Sequence, residues 1–560
     1  NNENRYLPTG DILYYGTCLP KHTIHQPTST DILPSITHGL YPVVSGPSVL
    51  SANDPRNLTG IPPLLANLQE NCKLLPIWDQ NDLDRVNEHD QQLERSLIKD
   101  STIRRVLTEH ESINGHPGFK CITGINMNTS PGFPYSHQRP SNTKGKGYLF
   151  SQHPETLEYS ISDPLLRKRM DDRLRLAKEG KRIQSEWVYG LKDELRSNKK
   201  IAGGNTRTFV IASIDYTLVF RMYFGAYLEF LRAHREQLSH GVMIDPTGKD
   251  WTDMFNFLME LRPGTFNTEQ LDQLRQLEPD EERRNELLST IGYFMTCDHK
   301  NFDRHVMSEF QKSCTEDANS WYNDGEQNAL IRRVLVDEAC FTNVRILNII
   351  ILTLFGHKSG LPATVDFNNK FNRKYSKLVY RTIMREQKRF DLIDLSNYTK
   401  YTRCYYTGDD TVKNIGHNLI LLYNNKTYKE VMTRHGHVIT AWDKSDNIPV
   451  WDDPLKTNYL KRGFRPHPLY PGVITAPIDP AVIEQLTNYV RKAPNIIDAC
   501  RSNLTDSLRE AYHHGKEYFD NHRNKINEEL AKIHVQELSM NYEDLDGAFL
   551  QKHFAFPRTL

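Results

Sequence analysis

The sequence predicts an α+β chain, and three stretches carry that prediction. Tyr405-Tyr406-Thr407-Gly408-Asp409-Asp410-Thr411-Val412 sets aromatic and β-branched residues on both sides of Gly-Asp-Asp, the pattern of two short strands joined by a tight turn. Ile291 to Asp298 is an apolar run that ends in an acid, which suits a buried strand with a carboxylate at its C-terminal edge. From about residue 470 the chain alternates helical stretches, such as 481–492 and 505–518, and reads as mostly helical.

Composition bounds the rest. The 560 residues suffice for a large core with several subdomains. Lys plus Arg and Asp plus Glu each total 70, so net charge is zero and any basic surface must be local. Eight cysteines include no Cys-x-x-Cys pair, which argues against a zinc site or disulfide framework and for reduced thiols in a cytosol. The longest apolar run, Ile346 to Phe355, holds Asn348 and Thr353 and is too short to span a bilayer, so no transmembrane segment is expected. The opening Asn1-Asn2-Glu3-Asn4 lacks the basic and apolar regions of a signal peptide. No G-x-x-x-x-G-K-[ST] phosphate loop occurs.

In chain order, residues 1 to about 65, rich in Pro, Thr, Ser and His, predict extended chain lying on another domain. Residues 66–115 carry helical patterns, for example 93–107. Asn128 to Tyr135 is a loop stiffened by prolines around Gly132. Between Lys192 and Arg207, five basic residues fall within sixteen positions; this is either a solvated charged hairpin or a clamp for a triphosphate. Residues 208–233 predict a strand and an aromatic-rich helix, and 262–290 an exposed helical excursion. Asp303, five residues past Asp298, begins a helical pattern with Phe302, Val306 and Phe310. Two acids so placed can hold a metal and a hydroxyl, although such pairs also arise by chance. Ser359-Gly360 is a turn feeding a helix on which Thr364 and Asn368 share a face, or small polar residues simply capping that helix.

Asp409 and Asp410 repel each other, so one stays protonated unless a cation offsets them; magnesium, a hard ion, is the natural partner. Alone, these letters favour a solvated turn. The choice depends on whether the rest of the chain supplies a phosphoryl-transfer site.

The order K-D-E-L-R (192–196), D-x4-D, S-G-x3-T-x3-N and G-D-D resembles that of RNA-dependent RNA polymerases of picornavirus-like positive-strand RNA viruses, with a flavour of the insect iflaviruses or dicistroviruses. Thr129-Ser130-Pro131-Gly132-Phe133-Pro134-Tyr135 is similar to the loop that admits the family's template. Thr440-Ala441-Trp442-Asp443-Lys444-Ser445 is similar to its T-x-x-D-K element, and Tyr459-Leu460-Lys461-Arg462-Gly463-Phe464 resembles its primer grip, F-L-K-R-x-F. Pro27 to Ser35 suggests its fingertip segment.

The resemblance implies a closed right hand whose palm is an antiparallel sheet backed by helices. Fingers would span 1–223, with palm at 224–335 and 358–468, a fingers insertion at 336–357 and a helical thumb at 469–560. Asp298 and Asp409 would bind two Mg2+ ions, with Asp410 assisting; Mn2+ can substitute. Lys192, Arg196 and Arg207 would line the triphosphate, and Asp303, Thr364 and Asn368 would sense the ribose 2′-OH. Ser359 and Gly360 would form a mobile loop near template and nucleotide, and Lys444 would be the general acid. Thr129, Ser130, Gly132, Lys461 and Arg462 would contact RNA, the last two at the primer end. Implied partners are template and product RNA, ribonucleoside triphosphates, a genome-linked peptide primer and other viral replication proteins. The implied location is the host cytoplasm, at membrane-associated replication complexes reached through partners.

Some positions depart from the pattern. Thr407 replaces the usual Tyr before Gly-Asp-Asp, Asn205 a frequent Lys, and Ser29 and Asp31 the fingertip lysines. Asn1 stands where relatives begin with a processed Gly, and 262–290 matches nothing in the pattern. A reverse transcriptase is the first alternative, but its acid pair follows Tyr-x and it has no use for a 2′-OH sensor. An RNA-binding protein without catalysis is the second, and intact Asp298, Asp409 and Asp410 argue against it.

Overall fold

A computed structural model describes residues 12–18, 28–66, 75–353 and 356–554. The helix Thr364–Glu386 is its axis, buried at every position from Asp366 to Tyr380. Such a helix would normally be apolar all round, yet this one buries Lys370, Arg373, Lys374 and Lys377. Their partners are acids on two neighbouring helices, Gln80–Ser96 and Ser308–Tyr322. Lys370 lies 2.5 Å from Glu94 and 2.9 Å from Asp317. Arg373 lies 2.8 Å from Glu94 and 3.4 Å from Asp90. Lys374 lies 2.8 Å from Asp317, and Lys377 contacts Asp90. Buried charge is tolerated only with such pairing.

A second face of the same helix carries the palm sheet. Strands Thr402–Thr407 and Asp410–Ile415 form an antiparallel hairpin in register from Thr407↔Asp410 to Thr402↔Ile415. The second strand also pairs antiparallel with Phe294–Met295. Beside it, Asp298–Lys300 pairs antiparallel with Val438–Thr440. Helices Ile214–Ala233 and Ser308–Tyr322 complete the packing around one large core.

A five-stranded sheet stands above the palm, in the order Ile12–Thr17, Ile349–Thr353, Asn343–Ile346, Glu186–Leu191, Thr208–Ile211. Only the Asn343–Ile346 to Glu186–Leu191 pair is parallel. The C-terminal helices Ile496–Tyr512, Lys516–Lys532 and Tyr542–Phe554 close their own core, including Leu504, Leu508, Phe519 and Ile526. The N-terminal segment joins this helical region to the chain that follows strand Glu186–Leu191 of the upper sheet. Ile32–Pro34 pairs with Tyr489–Arg491, and Ser45–Pro47 with Leu195–Ser197. Asp193 ties the corner, accepting from Thr30 Oγ1 at 2.7 Å and Asp31 N–H at 2.8 Å.

Several expected elements are corrected. The helix expected over 93–107 ends at Ser96; beyond it Thr102 Oγ1 accepts the Lys99 N–H and the chain turns. The helix expected over 481–492 is Pro480–Leu486 followed by the strand Tyr489–Arg491, because pairing with Ile32–Pro34 overrides local helical preference. The stretch 505–518 is interrupted between two helices at Gly515, whose φ of +97° no other residue adopts easily. The strand expected over 291–298 is only Phe294–Met295, and Asp298 opens a new strand instead of ending that one. Asp452 breaks the run by accepting from Thr296 N–H and Oγ1 at 3.1 and 2.8 Å. Asp303 sits in a 3₁₀ turn, Phe302–His305, and the following helix starts at Ser308. Pro27 of the suggested fingertip segment lies outside the described residues. Among the described residues no helix is long and apolar enough to cross a membrane.

Candidate active site

The hairpin turn is gripped from below. Gly408 adopts φ +67°, as a tight turn requires. Its N–H donates to Asn369 Oδ1 on the axial helix. Asn372 Nδ2 donates to Gly408 O at 3.3 Å, Asp409 O at 3.1 Å and Thr411 Oγ1 at 2.7 Å. Sequence reading passed over both asparagines; their signal was an amide four residues past Asn368 and another beside it, on the helix entered from Ser359-Gly360.

Asp409 is exposed and Asp410 half-buried. Burial, then Asp409, then Asp298 push the Asp410 carboxyl from 3.8 up to about 7, against the pull of Lys461 and Lys444. Asp298 is raised as well, by burial and Asp409, with Lys444 opposing. Lys444, itself largely exposed, has its Nζ 4.0 Å from Asp298 Oδ2. Carboxylates held this way carry unbalanced negative charge, and their all-oxygen donor set suits a hard divalent cation. Among the described residues no three His, Cys, Asp or Glu side chains converge tightly enough to enclose a metal unaided.

Beyond Lys444 and Lys461 lies a group of cations. Arg207 Nη1 is 3.3 Å from Glu194 Oε2, and Arg196 Nη1 is 3.7 Å from Glu194 Oε1. Arg196 Nε also donates to Asn205 O at 3.3 Å. Lys192 is lowered by burial and by Arg207. Lys200 is lowered by burial and then by Arg196, Lys444, Lys461 and Arg207. Mutual repulsion of this kind is relieved by a polyanion. Lys200 was not singled out from the sequence, although the Lys199-Lys200 pair in the basic run was the available signal.

The remaining expected residues divide. Asn368 is buried with no partner for its Oδ1, and the Asp303 carboxyl is raised by burial foremost. Both have capacity for a ligand hydroxyl. Thr364 Oγ1 instead donates to Leu361 O at 2.6 Å, holding the preceding loop. Ser359 Oγ accepts from Val210 N–H at 2.9 Å, and a Cβ on Gly360 would stand 2.3 Å from Val210 O. Thr129 and Ser130 are exposed, and Gly132, at φ +76°, sits against Ala212 O. Arg462 is committed to Glu510 through two 2.7 Å contacts, while Lys461 faces Asp410. The 262–290 excursion forms helices Thr268–Leu277 and Glu281–Leu288.

The family model for viral RNA-dependent RNA polymerase matches residues 41–267 and 279–532, omitting the whole of the first excursion helix. The genome polyprotein of Rice tungro spherical virus (strain A) is 28% identical over 535 residues, covering 92% of this chain and 14% of that protein. The Deformed wing virus genome polyprotein is 25% identical over 537 residues, covering 93% of this chain and 17% of that protein. The Acute bee paralysis virus replicase polyprotein is 25% identical over 509 residues, covering 89% and 24%. The chain thus spans less than a quarter of these relatives' lengths. The Sicinivirus 3Dpol RNA dependent RNA polymerase superposes with a TM-score of 0.75 at 19% identity, covering 97% of this chain and all of that one, which establishes the right-hand fold. With the family model spanning most of its length, the chain belongs to the viral RNA-dependent RNA polymerases.

Proposed function

We propose that this chain extends a primer on an RNA template from ribonucleoside triphosphates, by in-line attack of a 3′-hydroxyl on an α-phosphate. The observation that carries it is the clustering of Asp298, Asp409 and Asp410 with Lys444 and Lys461, two cations that also act on Lys200 beside Arg196 and Arg207. Asp298 and Asp409, with Asp410 assisting, are the residues that would hold two Mg2+ ions, or Mn2+ in their place. Bound there, such ions supply charge neutralisation at the attacking and leaving oxygens.

The chain's own residues do the rest. Lys192, Arg196, Lys200 and Arg207 orient the triphosphate once it displaces Glu194 from the arginines. Asn368 Oδ1 and Asp303 receive the 2′-OH, and Thr364 shapes the loop of Ser359 and Gly360 beside them. Lys444 delivers a proton to the departing pyrophosphate. Lys461 holds the primer end, and Arg462 fixes its turn to the thumb. Thr129, Ser130 and Gly132 border the template path. Fingers are assigned to 1–223 and 336–357, palm to 224–335 and 358–468, and thumb to 469–560. A genome-linked peptide primer, other replication proteins and a membrane-associated site in the host cytoplasm complete the reading.

Primer extension with magnesium tests it. The wild-type chain should add ribonucleotides in preference to deoxynucleotides. Asp409→Asn, which keeps shape and removes charge, should abolish elongation and leave RNA binding intact. Extension by the variant at near wild-type rate would remove Asp409 from the metal site.

A further inference from the structure

One contact near the acid turn is not used by the chemistry above. Thr407, the last residue of the first hairpin strand, shares a 2.5 Å hydrogen bond with the hydroxyl of Tyr459. Tyr459 is 2% exposed and packs in a small core with Trp251, Tyr405, Val412 and Phe464. Gly241 makes room for the pair: a Cβ there would stand 2.3 Å from the Tyr459 hydroxyl and 2.6 Å from Thr407 Oγ1. The Gly241 N–H also donates to Tyr406 O at 2.8 Å, closing the site from the third side.

Tyr459 is also the base of the turn that carries Lys461. Its N–H donates to Arg462 O and its carbonyl accepts from Arg462 N–H, both at 2.9 Å. Between them Leu460 and Lys461 adopt φ of +53° and +62°, a two-residue turn built from residues that seldom take that conformation. Such a turn keeps its shape only where its surroundings hold it. On its outer side Arg462 is held by Glu510 and by Ala476 O. On its inner side the hydroxyl of Tyr459 is the polar tie to the catalytic hairpin. In the pattern this chain resembles, the aromatic hydroxyl precedes Gly-Asp-Asp and a phenylalanine opens the grip; here a threonine and a tyrosine stand there instead.

We propose that Thr407 and Tyr459 are a positioning pair that registers the Lys461 turn on the acid hairpin, and thereby holds the growing 3′ end over the carboxylates. This rests on the reading of Lys461 as a primer-end contact. The pair touches no reacting atom; it acts through Lys461.

The test uses the full chain on a preformed primer–template, following single-nucleotide addition, release of the primer–template and thermal midpoint. The variants are Tyr459→Phe, Thr407→Val, their combination, Thr407→Ser and Lys461→Ala. Each single loss of the hydroxyl bond should speed release about fivefold, the worth of one hydrogen bond. Addition from the bound complex at saturating nucleotide should change far less. The combination should release no faster than either single variant, since the two share one interaction. Thr407→Ser, which keeps the hydroxyl, should behave as wild type. Unchanged release, additive release in the combination, or a lower midpoint without faster release overturns the pairing, while fast release by Lys461→Ala leaves the Lys461 reading standing. Wild-type release by Lys461→Ala overturns that reading, and the proposal with it.

Discussion

Asp90→Asn is the sharpest test of what holds the active site in place. Asp90 is wholly buried and meets Lys377, with Arg373 at 3.4 Å and Lys374 at 3.7 Å. At an effective dielectric constant of about 20, a unit pair at 3.4 Å attracts by about 5 kcal/mol. Asparagine loses that attraction but is cheaper to desolvate. Breaking one side of a buried ion pair therefore costs about 3–5 kcal/mol net. For a chain of 560 residues the midpoint of thermal unfolding should fall by about 2.5–4 °C. The pH dependence follows from the surrounding cations, which hold the Asp90 carboxyl well below its usual range despite burial. A carboxyl depressed by folding stabilises fully above its unfolded value, near pH 4, and loses that contribution as pH falls toward the folded one. Wild type should therefore lose stability steeply below about pH 4, and Asp90→Asn should show a shallower acid limb. Differential scanning calorimetry from pH 3 to 8 reads both. A variant with the wild-type midpoint at pH 7 and an unchanged acid limb would show that the network does not support the axial helix.

Three further outcomes concern the chemistry. Asp303→Ala should lose at least about tenfold more rate with ribonucleotides than with deoxynucleotides, because a site built for a hydroxyl rejects its absence strongly; unchanged sugar preference in single-turnover assays counts against the role. Lys444→Arg should slow addition by about a hundredfold or more at unchanged nucleotide affinity, with Lys444→Leu slower still. Pre-steady-state rates across pH check this, and wild-type profiles in both variants would give the proton to another donor. Gly360→Ala places a methyl 2.3 Å from Val210 O and should push the Ser359 loop off the Thr208–Ile211 strand at a cost of about 1–3 kcal/mol, read as weaker nucleotide binding.

The elements that hold the chemistry were legible because local signals agree there. Gly-Asp-Asp between β-forming residues gave the hairpin, and Ser359-Gly360 gave the start of the axial helix. Asp298 lies within electrostatic reach of Asp409 and Asp410, but the strand expected to end at it is cut short, because Asp452, more than 150 residues away, redirects Thr296. No periodicity announces Lys370, Arg373, Lys374 and Lys377 as buried: a basic helical face reads as solvated until Asp90, Glu94 and Asp317 arrive from elsewhere. The same holds for Glu194, taken as part of a basic run, which occupies Arg196 and Arg207 in the structure. Contacts between distant residues decide these positions, and sequence spacing does not encode them.

The ladder between Ile32–Pro34 and Tyr489–Arg491 also bears on how the molecule is made. During synthesis one partner leaves the ribosome more than four hundred residues before the other. Until the second emerges, the first is a short strand with an unsatisfied edge, open to other chains. Contacts of such separation form late, so the fingers must be substantially folded before the thumb can latch them. A translation product that stops before residue 489 would keep its palm acids yet carry that open edge, and its yield in soluble form should fall accordingly.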